Sequence, residues 1–181
     1  MALSVAVVVG DETGDKLIAQ LEEKIAQMRV GPGIVDGPEN DMGPVISAPH
    51  KAKICDYITS GEQQGAKLVV DGRDFVVEGH ETGYFVGPTL IDNVSPDMTI
   101  YKEEIFGPVL SVVRVEDYET ALDLINRHEY GNGTAIFTRD GETARQFGED
   151  VLAGMVGVNV PIPVPMAVSY THLRAHETHE N

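Results

Sequence analysis

Two rhythms of apolar residues run along this chain. Residues 1–10, Met-Ala-Leu-Ser-Val-Ala-Val-Val-Val-Gly, are β-branched and apolar, with no Lys or Arg before Lys16. That pattern predicts a buried strand rather than a secretory leader. Leu17, Ile18, Leu21, Ile25 and Met28 then recur at helical spacing, with Asp11 or Thr13 as the expected N-cap and Gly31-Pro-Gly33 as the stop. After a polar loop, Ser47 is placed to cap a second helix, with Pro49 in its first turn. Ile54, Cys55 and Ile58 are expected to face the core, and Gly61 and Gly65 to end this helix.

Further on, Lys67–Val70 reads as a strand closed by the Asp71-Gly72 turn, and short strands are expected at Phe75–Val77, Tyr84–Val86 and Thr89–Ile91. A longer strand, Val109–Val115, precedes a helix at Tyr118–Arg127 with Ala121, Leu124 and Ile125 on its apolar face. Gly131-Asn-Gly133 turns into a strand at Thr134–Thr138. A helix at Glu142–Glu149, with Ala144 and Phe147 inward, leads to a last strand at Met155–Asn159. Alternating strands and helices predict an α/β layered sheet, with the helices on its faces.

The 181 residues suit one domain of ordinary size, and 42% hydrophobic with 23% charged residues predict a folded protein. Thirteen Lys and Arg against 29 Asp and Glu leave a net charge of −16 without a basic patch, which disfavours nucleic acid and membrane surfaces as partners. The longest apolar runs fall short of the ~20 residues that span a bilayer. A single cysteine, Cys55, excludes an internal disulfide and suits an intracellular, reducing compartment, cytoplasm or mitochondrial matrix.

Candidate chemistry is sparse. Gly31-Pro-Gly33-Ile-Val-Asp-Gly37 follows a helix rather than a strand, so it reads as a helix stop and not a dinucleotide loop. Cys55, mid-helix beside Asp56, reads as a core cysteine and not a nucleophile. His172, His176 and His179 have a spacing that one helix face could offer to a metal, but they lie in residues 168–181, where periodicity stops. That stretch reads as a disordered or artefactual tail resembling translated sequencing-adapter read-through, and no metal site is expected. The informative segment is Tyr101-Lys-Glu-Glu-Ile-Phe-Gly-Pro-Val-Leu110, where two adjacent carboxylates and an aromatic precede a Gly-Pro bend and a strand. Taken alone, one carboxylate would serve as a cap or pair with Lys102.

Lys102-Glu-Glu-Ile-Phe-Gly-Pro108 resembles a signature of the aldehyde dehydrogenase superfamily. Residues 1–9, Gly83-Tyr-Phe-Val-Gly-Pro88, Tyr130-Gly-Asn-Gly-Thr-Ala-Ile-Phe-Thr138 and the segment from Gly154 to Met166 resemble its CoA-acylating branch, which oxidises methylmalonate or malonate semialdehyde to propionyl-CoA or acetyl-CoA in valine catabolism. The resemblance implies the layered α/β/α sheet of a catalytic domain, incomplete, over residues 1–167. It implies NAD as cofactor, CoA as co-substrate, and a parent enzyme that is a homotetramer. By position, Glu104 would accept hydrogen bonds from the nicotinamide-ribose hydroxyls, and Phe106 would border the nicotinamide ring. Asn159, Pro161 and Pro163 would line the aldehyde pocket.

The same resemblance places the family's nucleophilic cysteine immediately before the residue aligned with Met1. It also implies an absent amino-terminal dinucleotide-binding domain, normally a partner of this one, and an absent final strand. A fragment without turnover of its own is therefore expected. The alternative is a non-catalytic binding or assembly protein that keeps only the catalytic-domain fold.

Overall fold

A computed structural model describes residues 3–34 and 39–162. Gly37, Pro163 and the histidines at 172, 176 and 179 lie outside the described residues. The chain divides into two compact units, one over Leu3–Glu116 and one from Asp117 onward.

In the first unit, β1 (Val5–Val9), α1 (Asp11–Gln27), α2 (Ala48–Gln63), β2 (Lys67–Val70), β3 (Thr89–Asp92), α3 (Thr99–Lys102) and β4 (Val109–Val115) follow in order. The sheet order is β1-β4-β3-β2, with β1, β4 and β3 parallel and β2 antiparallel on the outer edge of β3. Central β3 and β4 carry the most buried residues, as expected of strands flanked on both sides. Val8, Leu90 and Val112 pack with Ile18 of α1, joined by Leu17, Leu21 and Ile25 at the predicted helical positions. Strand alternation puts Asp92 and Arg114 on this same face. Arg114 donates to both Asp92 carboxylate oxygens (Nε 3.0 Å, Nη2 2.8 Å) and to Asp15 (2.8 Å). Its guanidinium lies against Gly14, where a Cβ would come within 2.9 Å.

Several sequence expectations are corrected in this unit. Neither Asp11 nor Thr13 caps α1; Gly10, at φ 84°, occupies that position, and Asp11 and Glu12 lie in the first turn. Gly61 does not end α2, which continues to Gln63. A Cβ at Gly61 would lie 2.6 Å from Ile100 Cδ1, so this glycine admits a close neighbour, and Gly65 (φ 101°) lies beyond the end. Cys55 is half-buried rather than core-facing. Residues 75–77 and 84–86 form no strands. Turns take Phe75 N to Gly72 O (3.3 Å) and His80 N to Val77 O (3.0 Å), while single long-range backbone bonds, Gly87 N to Gly72 O (2.8 Å) and Val45 N to Tyr84 O (2.9 Å), hold the rest. A side chain at Gly72 would collide with Gly87 O, so the two backbones meet closely here.

The second unit contains α4 (Tyr118–Arg127), β5 (Thr134–Ile136), α5 (Gly141–Asp150) and β6 (Val156–Val158). Asp117 and Asp140 cap the two helices by accepting from Thr120 N (2.8 Å) and Thr143 N (2.7 Å). β5 and β6 pair in parallel and are shorter than expected. Asn159 ends the pairing: it sits at φ 54°, and its side-chain oxygen takes the Thr138 N–H (2.9 Å) that a longer ladder would use. Among the described residues no helix is long and apolar enough to cross a membrane.

Candidate functional site

Residues 103–108 connect α3 to β4, and their conformation is set by α2. Ser47 Oγ accepts from His50 N (3.3 Å), fixing His50 in the first turn of α2. The His50 Nε2–H donates to Phe106 O (2.7 Å), and the two rings meet edge-on at 6.2 Å. One turn along α2, Ile54 lies against Gly107, where a Cβ would sit 2.6 Å from Ile54 Cδ1. Only glycine permits that approach. A further turn on, the Tyr57 hydroxyl donates to Glu103 Oε2 (2.5 Å). Ile105 is buried at 7% and anchors the middle of the loop.

Phe106 departs from ordinary packing twice. Its φ is 57°, in the left-handed region that costs a residue with a Cβ about 1–2 kcal/mol. The residue is 76% exposed. Strained backbone presenting an apolar ring to solvent is the kind of position that function retains. Glu104, two residues earlier, is exposed and makes no hydrogen bond or ion pair among the described residues. Glu103 is neither a cap nor the Lys102 partner, the two roles open to one of these carboxylates from the sequence alone. It is held by Tyr57, and Lys102 lies 3.9 Å from Asp97. The adjacent carboxylates thus have different environments, one engaged in structure and one open.

The remaining candidates fall elsewhere. In the second unit Asn159 is exposed, with its side-chain oxygen accepting from Thr138 N, and Pro161 is exposed beside it. A Cβ on Gly157 would lie 2.8 Å from Val160 O, which keeps this turn tight. Cys55 carries a thiol pushed up by burial, only partly offset by Lys51 and Arg73. A thiol so shifted is less available as a thiolate. Among the described residues no group of three or more His, Cys, Asp or Glu side chains could hold a metal. An open groove of about 670 Å³ between the 32–34, 44–46 and 80–85 segments contains none of the predicted site residues. His50 and Tyr57 were missed at the sequence level. Their signal was the seven-residue spacing on α2, invisible until the loop they hold is placed.

The sequence model of the Aldehyde dehydrogenase family matches residues 1–171. The chain belongs to this family. It is 60% identical over 167 residues to the malonate-semialdehyde dehydrogenase of Pseudomonas aeruginosa, covering 92% of this chain and 33% of that protein. It is 49% identical over 161 residues to the mitochondrial, acylating methylmalonate-semialdehyde/malonate-semialdehyde dehydrogenase of Bos taurus, covering 89% and 29%. A Sinorhizobium meliloti homologue of the methylmalonate-semialdehyde dehydrogenase type, complexed with NAD, superposes with a TM-score of 0.87 at 57% identity, over 92% of this chain and 33% of that one. The chain therefore spans about a third of the length of the curated relatives it matches. Its mixed, parallel-dominated sheet is part of the aldehyde dehydrogenase fold.

Proposed function

We propose that this chain is the nicotinamide-facing part of an NAD-dependent, CoA-acylating aldehyde dehydrogenase that oxidises methylmalonate or malonate semialdehyde to propionyl-CoA or acetyl-CoA, the carboxyl carbon leaving as CO2. The observation that carries this reading is the contrast at residues 103–106: Glu103 is tied down, while Glu104 and the Phe106 ring are left open on a strained, well-anchored loop. These two residues fit the group. A carboxylate with all its acceptor sites free can take two vicinal ribose hydroxyls at once. A projecting aromatic face can border the nicotinamide ring and limit its orientations, which is a positioning contribution. When bound, NAD supplies the hydride acceptor.

In this reading Asn159, Pro161 and Pro163 line the aldehyde pocket. With its side-chain oxygen engaged by Thr138 N, Asn159 keeps its Nδ2 donors for that pocket. The chemistry also needs a thiolate to attack the aldehyde and carry the acyl group to CoA. The raised, half-buried Cys55 thiol is unsuited, so we assign the nucleophile to the position the family gives it, next to the residue aligned with Met1. The working protein would be an intracellular, soluble homotetramer, in the cytoplasm or the mitochondrial matrix. The identity to the Pseudomonas aeruginosa and Bos taurus enzymes supports the substrate class.

The test uses a full-length enzyme in which residues 1–162 replace the matching third of the Pseudomonas aeruginosa relative. Glu104→Gln weakens a charge-assisted hydrogen bond worth roughly 1.5–3 kcal/mol, so the NADH burst should slow by at least about tenfold. Glu103→Gln keeps an acceptor for the Tyr57 hydroxyl and should leave the burst near normal. Equal, near-normal bursts from both variants would refute the cofactor role.

A further inference from the structure

The stripe His50, Ile54, Tyr57 and Gly61 has spacings of four, three and four, so one face of α2 presents all of them. Opposite them lie Phe106 O, Gly107, Glu103 and Ile100. Two of these four contacts are apolar packing, and either would hold the helix against its neighbour. The two polar contacts are aimed differently. Each ends on a residue that flanks Glu104 or carries the exposed ring: Tyr57 on the Glu103 carboxylate, and His50 on the Phe106 carbonyl.

We propose that His50 and Tyr57 are positioning residues for cofactor use. Together they hold both flanks of Glu104 and so fix the direction of its carboxylate and of the Phe106 ring toward the dinucleotide. This rests on the cofactor reading above and extends it to two α2 side chains outside the family signature. The chemistry at each end is one-directional. A carbonyl oxygen only accepts, so His50 holds Phe106 only with a proton on Nε2. That bond engages the carbonyl of the residue in the left-handed conformation, a backbone state a phenylalanine leaves unless it is held there. At the other end the Tyr57 hydroxyl donates to Glu103, orienting the peptide that leads into Glu104. Glu103 and Glu104 are consecutive like charges, and binding the first to a tyrosine draws it toward α2 and away from the site its neighbour serves.

The experiment uses the same full-length enzyme with NAD and malonate semialdehyde. His50→Leu removes the donor and keeps bulk; His50→Gln keeps a donor able to reach the carbonyl; Tyr57→Phe removes only the hydroxyl. His50→Leu and Tyr57→Phe should each raise the KM for NAD and slow the NADH burst at least fivefold, with the KM for the semialdehyde within twofold of the parent. His50→Gln should return both NAD-linked values to within twofold. Bound NADH should show faster fluorescence depolarisation in His50→Leu, reporting a looser ring.

Parent-like NAD kinetics in Tyr57→Phe, the isosteric variant, would overturn the proposal even if His50→Leu fails to fold. Equal losses in the NAD and semialdehyde parameters would overturn it too, because they would mark a merely structural contact. If Glu104→Gln remains impaired in either case, the cofactor reading survives the loss of this inference. A parent-like Glu104→Gln, by contrast, would remove the reading on which it rests.

Discussion

Asp92 and Glu104 are carboxylates in the same unit, and they could hardly be treated more differently. The Asp92 side chain is 2% exposed and well satisfied: both oxygens take Arg114, and Oδ1 also takes the Asn93 N–H at 2.8 Å. Burial alone would push its carboxyl up, but the Arg114 hydrogen bonds, the Asn93 N–H and the Arg114 charge outweigh it and hold it below the usual carboxylate range. Asp15 adds a second acid to Arg114 from α1, so the network ties helix to sheet. Glu104 has none of this. The comparison teaches that a carboxylate serving the fold is one whose two oxygens are both engaged inside the chain, whereas one available to a ligand is left without a partner at the surface on a loop fixed by other residues.

The sharpest way to break that comparison is to remove the buried member. Asp92→Ala leaves Arg114 without its main partner, and breaking a buried pair costs about 3–5 kcal/mol. Chemical denaturation should show that loss; a change below about 1 kcal/mol would show the network to be ornamental to stability. Acid tests the same pair. Because the folded Asp92 carboxyl is depressed below its ordinary value of 3.8, its contribution is present above that pH and is lost as pH falls through the folded value. The stability gap between the parent and Asp92→Asn should therefore hold steady at neutral pH and shrink once pH drops below 3.8.

Glu104→Gln should do the opposite, slowing NADH formation while leaving the unfolding midpoint within about 0.5 kcal/mol of the parent, as surface substitutions do. A large stability loss there would mean that Glu104, too, is a structural acid. The smallest effect belongs to the support beneath the loop. Ser47→Ala removes the α2 cap for about 1 kcal/mol, and fraying of the first turn should raise the KM for NAD through His50, with the semialdehyde KM unchanged.

Much of this was readable beforehand where local rules suffice. The α1 and α4 faces, the Ser47 cap and the β4 strand follow from periodicity and capping chemistry alone. The 102–108 signature marked the candidate loop. The failures share a cause. Phe75–Val77 and Tyr84–Val86 have strand composition, but the first is bonded into turns and the second meets Val45 through a single long-range backbone bond. Gly61 looked like a stop because the residue that needs its missing side chain, Ile100, is 39 positions away.

Taken by itself, the sequence determined where α1, α2, α4, α5 and the strands β1–β6 lie to within a few residues, and that the sheet is of the α/β kind. Those are properties of neighbours within a few residues, where spacing and propensity act directly. The family resemblance singled out Glu104 by position, but local spacing could not say which glutamate is open. That was decided by Tyr57 reaching Glu103 across 46 positions and by His50 holding Phe106 across 56. The conformation of Phe106 was likewise undecided, since a phenylalanine has no intrinsic preference for the left-handed region and holds it here only within a loop fixed by contacts that tertiary packing creates.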